Sequence, residues 1–238
     1  MAWHHQPDDL TVAEGTGTER RPHPGPHPPK PRFRGRIHQA AAFVALPPAV
    51  LLIILSRGPA QHVASTVYGA TLVNMFSTSA IYHRRNWSEK ARRRIQALDH
   101  SAIYLLIAGS YTPLSVIALD GWIRVTVLAT VWGITALMVV LKQSFPGRFA
   151  GLSGAMYIIL GWAAVAAAPQ FIRNLPLASI ILLVVGGVLY TGGALVLNRR
   201  WPDPSPLVFG YHEVWHACMT SAAACQYVAI LIAVVAPR

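Results

Sequence analysis

Residues 98–119 read LDHSAIYLLIAGSYTPLSVIAL, a run whose only acidic or basic side chains are Asp99 and His100 at its start. A transmembrane helix needs about 20 predominantly apolar residues, so this stretch predicts a membrane-spanning helix with polar groups at one end. Pro113 is compatible with that prediction, because neighbouring helices in a membrane bundle can satisfy the carbonyl that a proline frees. The stretch therefore predicts an all-α integral membrane protein.

Similar apolar runs occur on both sides of this stretch, and together they predict a bundle of seven transmembrane helices. The six further runs are 37–56, 60–82, 122–141, 151–168, 176–197 and 208–236. The connections are short, which predicts that consecutive helices are antiparallel neighbours. Only 12% of the residues are charged and 53% are hydrophobic, whereas soluble domains carry about 25% charged residues. This composition excludes an ordinary cytosolic enzyme, a disordered protein and a secreted disulfide scaffold.

The segment before the first apolar run has a different composition. Residues 1–36 are rich in proline and end in a cluster of basic residues, which predicts a disordered tail. The tail lacks the apolar core of a signal peptide. We therefore expect two parts, the tail at 1–36 and the seven-helix domain at 37–238.

The positive charge is distributed as in a membrane protein. The formal net charge of +11 would suit a nucleic-acid-binding protein, but the basic residues lie in short clusters between apolar runs. With seven spans, sixteen lysines and arginines fall on the side of the N-terminus and four on the other side. The positive-inside rule then predicts a cytoplasmic N-terminus and an external C-terminus in the cell (plasma or inner) membrane. We expect membrane lipids, and no nucleic acid, as partners.

Three of the predicted helix ends bring polar groups to the same cytoplasmic side. Ser79 and His83 end the second span, Asp99 begins the third, and His212 and His216 begin the seventh. Histidines four residues apart share one face of a helix and can bind one zinc ion. His83 would complete the three-ligand pattern of a catalytic zinc site, and Asp99 could orient or deprotonate the water at the fourth position.

Two other interpretations of these residues remain open. The polar groups could simply be interfacial side chains that hydrogen-bond to lipid headgroups and to one another. Residues 212–216, HEVWH, also match the H-E-x-x-H pattern in which the glutamate, here Glu213, is the general base of a metalloprotease. We expect His38, His62 and His100 to be structural, since they have no partner at ligand spacing.

The order and spacing of these motifs resemble the hemolysin III family. The resemblance is carried by SAIYH at 79–83, by LDHSAIYLLIAGSYTP at 98–113, by YIILGW at 157–162, by GGVLYTGG at 186–193 and by HEVWH at 212–216. That family is similar to the progestin and adipoQ receptors (PAQR), whose site resembles that of alkaline ceramidases. The resemblance implies seven helices and a zinc ion (Zn2+) bound by His83, His212 and His216, with Asp99 and Ser79 beside a water molecule. It gives Glu213 no role.

Two classes of function follow from these observations. One is a membrane hydrolase that uses zinc to cleave an amide or ester bond of a lipid substrate, as a ceramidase-like enzyme would. The other is a non-catalytic receptor, channel or cytolysin in which zinc holds the helices together. A water molecule on the zinc below a lipid-sized cavity would favour the hydrolase, and a closed coordination shell would favour the structural role.

Overall fold

The computed structural model describes residues 30–148 and 150–237, and in these residues it is all-α, as predicted. Most of the predicted tail therefore lies outside the described residues. The helices are α1 (Arg36–Val44), α2 (Leu46–Leu55), α3 (Gly58–Arg84), α4 (Glu89–Ala118), α5 (Gly121–Ser144), α6 (Ala150–Trp162), α7 (Ala168–Asn174), α8 (Leu177–Arg199) and α9 (Tyr211–Val235). A short 3-10 helix, Ala163–Ala167, joins α6 to α7. Two of the seven predicted helices are thus interrupted, one at Ala45 before Pro47 and Pro48 and the other at the 3-10 turn.

Six helical segments of the described chain are long and apolar enough to cross a membrane, one fewer than the sequence predicts. The helix that is not among them is α3, which corresponds to the predicted span at 60–82. The reason lies in its position, because α3 packs against α1, α2 and α4. A helix enclosed by other helices can carry polar side chains such as Gln61, Ser65 and Ser79, which are all buried.

The bundle has an inner and an outer set of helices. Of the 18 consecutive residues of α4 that are most apolar, two thirds are buried, whereas the corresponding share is 11% in α8 and 17% in α5. The outer helices expose large apolar side chains, among them Trp122, Val125, Ile172, Leu177 and Val188. An apolar surface of this extent on a soluble monomer would be exceptional. The chain is therefore a multi-pass membrane protein that contacts membrane lipids.

Close approach of two helices depends on one glycine in α8. A Cβ atom added at Gly193 would lie 2.9 Å from Cβ of Cys218 and 3.2 Å from the Trp215 ring in α9. Small residues allow helix backbones in membranes to approach closely. Gly193 thus lets α8 support the first turns of α9, which carry the histidines of the HEVWH motif.

The polar residues predicted for the site lie at one end of the bundle, formed by residues 30–35, 85–88, 145–148 and 200–210, which we call the basic end. Backbone hydrogen bonds from Arg32 to Leu207 (2.9 Å) and from Phe33 to Val208 (3.1 Å) attach residues 30–35 to the loop before α9. Residues 30–35, which precede the first predicted span, are therefore packed against the helical bundle. We call residues 30–35 the strap.

Candidate metal centre

Two inner helices position the three histidines that the sequence singles out. His83 lies one residue before the end of α3, and His212 and His216 occupy the first two turns of α9. The start of α9 is fixed by its own first turn, since the backbone N–H of Gly210 donates to Glu213 Oε2 over 2.9 Å. The Tyr211 N–H donates to Asp203 Oδ1 over 2.8 Å. This capping sets where the i, i+4 pair of histidines points.

The three imidazole rings form one compact cluster. One nitrogen from each of His83, His212 and His216 lies within 4.8 Å of the other two. The Nε2 atoms of His83 and His212 are 3.3 Å apart. The rings of His83 and His216 have their centroids 4.8 Å apart, and those of His212 and His216 are 4.6 Å apart. The cluster that the sequence predicts is therefore brought together, and it could hold a metal ion.

One of the distances between the ring nitrogens, and the donor atoms themselves, fit zinc. A tetrahedral zinc ion with Zn–N bonds of about 2.0–2.1 Å separates its ligand nitrogens by about 3.3 Å, which is the distance between His83 and His212 Nε2. Both ring nitrogens of His216 are buried without a hydrogen-bond partner. Buried polar atoms nearly always have a partner, so an ion would satisfy a nitrogen that the protein leaves unpaired. Three imidazoles suit zinc better than the hard cations magnesium and calcium.

Asp99 and Ser79, which the sequence analysis places at the site, lie beside the cluster. Asp99 Oδ2 lies 3.8 Å from Nε2 of His83, and the Asp99 side chain is buried. Ser79 lies one turn before His83 on α3 and is also buried. A carboxylate in this position can orient a histidine or accept a proton near it. The interfacial alternative fits this arrangement less well, because His83, His216, Asp99 and Ser79 are all buried.

His38 is part of the site, although the sequence analysis assigned it no partner. Its Nδ1 lies 2.8 Å from Ser79 Oγ, and its ring stacks on His216 with centroids 3.9 Å apart and planes at 5°. The partners are 41 and 178 residues away in the chain, so no local spacing could have revealed them. Its position in the chain could have indicated this role, because His38 is the third residue of α1 and therefore lies at the same end of the bundle as the other histidines.

Glu213 does not face the histidine cluster in the manner of a metalloprotease base. One carboxylate oxygen accepts the Gly210 N–H and the other accepts Nε of Arg34 over 2.6 Å. The Glu213 side chain is completely buried. Both oxygens are thus engaged in capping α9 and in holding the strap. The H-E-x-x-H match gains no support from this geometry.

The strap lies across the basic end of the site. Lys30 Nζ donates to the carbonyl oxygens of His83 and Arg85 at the end of α3. Partial burial, together with the charges of Arg92 and Arg34, lowers the pKa of Lys30. Gly35 has a φ of +75°, and a Cβ atom added there would lie only 2.8 Å from Cβ of His83. The strap is therefore in direct contact with His83, one of the three histidines that could bind a metal ion.

A cavity of about 620 Å³ lies on the other side of α4 and α9 from the histidines. His100 and Trp215 line it, while their sequence neighbours Asp99 and His216 face the cluster. The cavity lining includes none of the three clustered histidines. The cavity therefore lies beside the histidine cluster and is separated from it by the two helices. His62 is exposed and remote from the site.

Comparison with known proteins gives consistent results. The family described as Haemolysin-III related matches residues 27–227. The chain is 34% identical over 197 residues to "Hemolysin-3" of Bacillus cereus, covering 82% of this chain and 87% of that protein. It is 30% identical over 198 residues to "Hemolysin-3 homolog" of Bacillus subtilis (strain 168), covering 82% and 89%. A human protein, "Monocyte to macrophage differentiation factor", is 23% identical over 196 residues, covering 79% of each chain.

Proposed function

This chain belongs to the haemolysin-III related family, and we propose that it is a zinc-dependent membrane hydrolase that cleaves an amide or ester bond of a lipid. His83, His212 and His216 would hold the ion. The observation that carries the proposal is the convergence of these three imidazoles, within 4.8 Å, in the interior of an apolar bundle. Burying unpaired imidazole nitrogens is costly unless a ligand satisfies them.

The chain's own residues divide the chemistry between them. Zinc in such a site supplies a Lewis acid that polarises a carbonyl group and lowers the pKa of water toward 7. The Asp99 carboxylate, whose Oδ2 lies 3.8 Å from Nε2 of His83, would accept a proton from the attacking water as the water oxygen bonds to the lipid carbonyl carbon. It would pass that proton to the amine or alcohol that leaves when the amide or ester bond breaks. Ser79 lies on the same face of α3 as His83, one turn away, and its hydroxyl is hydrogen-bonded to Nδ1 of His38 over 2.8 Å.

The site would act at the cytoplasmic face of the cell membrane. This part of the proposal needs α3 to cross the membrane as a seventh span. The basic residues predict termini on opposite sides of the membrane, and only an odd number of crossings gives that arrangement. α3 has 27 residues and is therefore about 40 Å long, which exceeds the hydrocarbon thickness of about 30 Å. It packs against α2 and α4, to which it is joined by short connections, and a long helix between short connections favours a crossing. The concentration of lysine and arginine at the basic end favours the cytoplasm for that end.

A second candidate function is a receptor, channel or cytolysin in which zinc only joins α3 to α9. One observation favours it, namely that the 620 Å³ cavity is lined by none of the histidines. The strap also covers the basic end of the site. The name of the Bacillus cereus relative denotes a haemolysin, which makes cytolysis one form of this second class.

Metal analysis and lipid turnover together test the proposal. Purified protein should contain about one zinc ion per chain, and His83→Ala should reduce zinc affinity as much as His216→Ala. Membranes from cells that express the wild-type chain should contain more free acyl product than membranes with His212→Ala, measured by lipidomics and then with purified protein in vesicles. Zinc retained by His212→Ala/His216→Ala would refute the metal site. A zinc-loaded protein without any lipid turnover would favour the structural role.

A further inference from the structure

The cavity beside the metal centre carries a buried positive charge. Lys142, in the last turn of α5, lines the cavity, and its side chain is only 5% exposed. A lysine near a helix end in a membrane protein usually extends its ammonium group to the water interface. The next two residues, Gln143 and Ser144, are exposed, so the same turn does reach the surface. The Lys142 side chain instead lines the cavity.

No carboxylate of the described chain balances this charge. The ion pairs there join Arg34 to Glu213, Arg93 to Glu89 and Arg124 to Asp120, and none involves Lys142. Asp99 lies beside His83 instead. An unpaired charge inside a protein costs several kcal/mol. His100 also lines the cavity. The polar end of the cavity therefore suits an anion.

The rest of the cavity suits one hydrocarbon chain. Its walls come mainly from apolar residues of α4, α6, α7 and α8, such as Leu114, Ile172 and Leu183. The lining of α4 extends from His100 to Leu114, which is about 21 Å along the helix axis. One leaflet of the hydrocarbon core is about 15 Å thick, so a single acyl chain fits in length. A volume of about 620 Å³ is in the range of sites for one drug-sized ligand.

In the described residues, the structure thus brings together an ammonium group without a carboxylate partner and one largely apolar cavity. From this juxtaposition we propose that the cavity binds a single-chain lipid with a carboxylate head, a long-chain fatty-acid anion, whose carboxylate contacts Lys142. One positive charge balances a carboxylate, whereas a phosphate monoester carries about −1.5 to −2. This site is separate from the histidine cluster, and it does not require that the metal centre be catalytic.

Photolabelling of the full-length protein in phosphatidylcholine vesicles tests the proposal. The probe is a long-chain fatty acid with a diazirine on its chain, and labelled peptides are mapped by mass spectrometry. Labels should appear in α6 and α8, and unlabelled palmitate should compete for the site. Palmitate methyl ester, which has no charge, should compete at least tenfold less well. Equal competition by the ester would overturn the proposal, and stronger competition by lysophosphatidate would assign the site to a phosphate head instead.

Variants identify the group that holds the head. Lys142→Met should reduce labelling at least tenfold and Lys142→Arg should retain it. Arg148→Met is the matched control, because Arg148 follows the same helix but is exposed outside the cavity. Undiminished labelling of Lys142→Met would refute the assignment. If Lys142→Met does not fold, Leu183→Trp provides a second test, because the larger side chain fills the cavity. This variant should not be labelled, and normal labelling of it would equally refute the proposal.

The metal centre is tested separately from the lipid site. The double variant His212→Ala/His216→Ala should lose zinc and still be labelled normally. Loss of labelling in that variant would place the head at the histidines and overturn the proposal. A protein that binds the probe at Lys142 but hydrolyses no lipid would refute the proposed activity and leave this binding site intact.

Discussion

At the scale of single residues, the site depends on which groups the buried carboxylates contact. Asp99 lies against His83, whereas Glu213, although adjacent to His212 in sequence, uses both oxygens for Gly210 and Arg34. Two carboxylates of the same end of the bundle thus have different tasks. The difference arises from direction, since successive residues of a helix point about 100° apart.

Substitution of the two carboxylates should separate catalysis from stability. Asp99→Asn should abolish lipid turnover and change zinc affinity by no more than about 10–100-fold, as is usual for a residue beside the ligands. Glu213→Gln should keep zinc and turnover but lower the free energy of unfolding by about 1.5–3 kcal/mol, because the charged hydrogen bond to Arg34 is lost. Turnover, zinc content and thermal unfolding in detergent measure these effects. The metalloprotease hypothesis requires the reverse order of activities.

His38 should act through the two groups that it contacts. His38→Phe keeps a ring to stack on His216 but loses the hydrogen bond to Ser79, so zinc affinity should stay near that of the wild type while turnover falls. His38→Ala loses both contacts and should weaken zinc binding about 10–100-fold. Chelator competition and the visible spectrum of cobalt-substituted protein measure this. A wild-type spectrum and affinity in His38→Ala would contradict the assigned role.

At the scale of elements, the strap and α3 meet at a point where only glycine fits. Gly35 has a positive φ and approaches His83 closely. The strap is fixed there by Lys30, which binds the last carbonyls of α3, and by the Arg34–Glu213 ion pair. Residues just before the first span thus help to position His83, a candidate metal-binding residue of α3.

Two glycines with the same backbone angle provide a matched pair of variants. Gly35 and Gly58 both have a φ of +75°, but a Cβ atom at Gly58 would have no neighbour within 4 Å. Both alanine variants should lose about 1–2 kcal/mol from backbone strain. Only Gly35→Ala should also lower zinc affinity, because its methyl group displaces His83. Equal zinc affinities of the two variants, measured by chelator competition, would exclude this coupling.

At the scale of the whole molecule, the topology depends on whether α3 crosses the membrane. Six crossings would put both termini on one side of the membrane, and seven would put them on opposite sides. α3 is too polar to be recognised by hydropathy, yet it lies inside the bundle, packed on α1, α2 and α4. Enclosure by protein makes its polar residues compatible with a crossing.

Reporter fusions at both termini should therefore report opposite sides. Alkaline phosphatase, which is active only outside the cytoplasm, should be active at the C-terminus and inactive at the N-terminus. A fluorescent protein that matures only in the cytoplasm should give the converse pattern. Both termini on one side would show that α3 does not cross. An external N-terminus would reverse the orientation predicted from sixteen against four basic residues.

The sequence by itself determined that the chain is an all-α membrane bundle, since apolar runs of sufficient length leave few alternatives. It also selected the right histidines for a cluster, because an i, i+4 pair and the ends of antiparallel helices have predictable positions. The tertiary structure alone decided that His38 joins the site, that Glu213 holds Arg34, and that the cavity lies beside the histidines around Lys142. These contacts join helices distant in sequence, and the direction of each side chain depends on how the helices rotate and pack against one another.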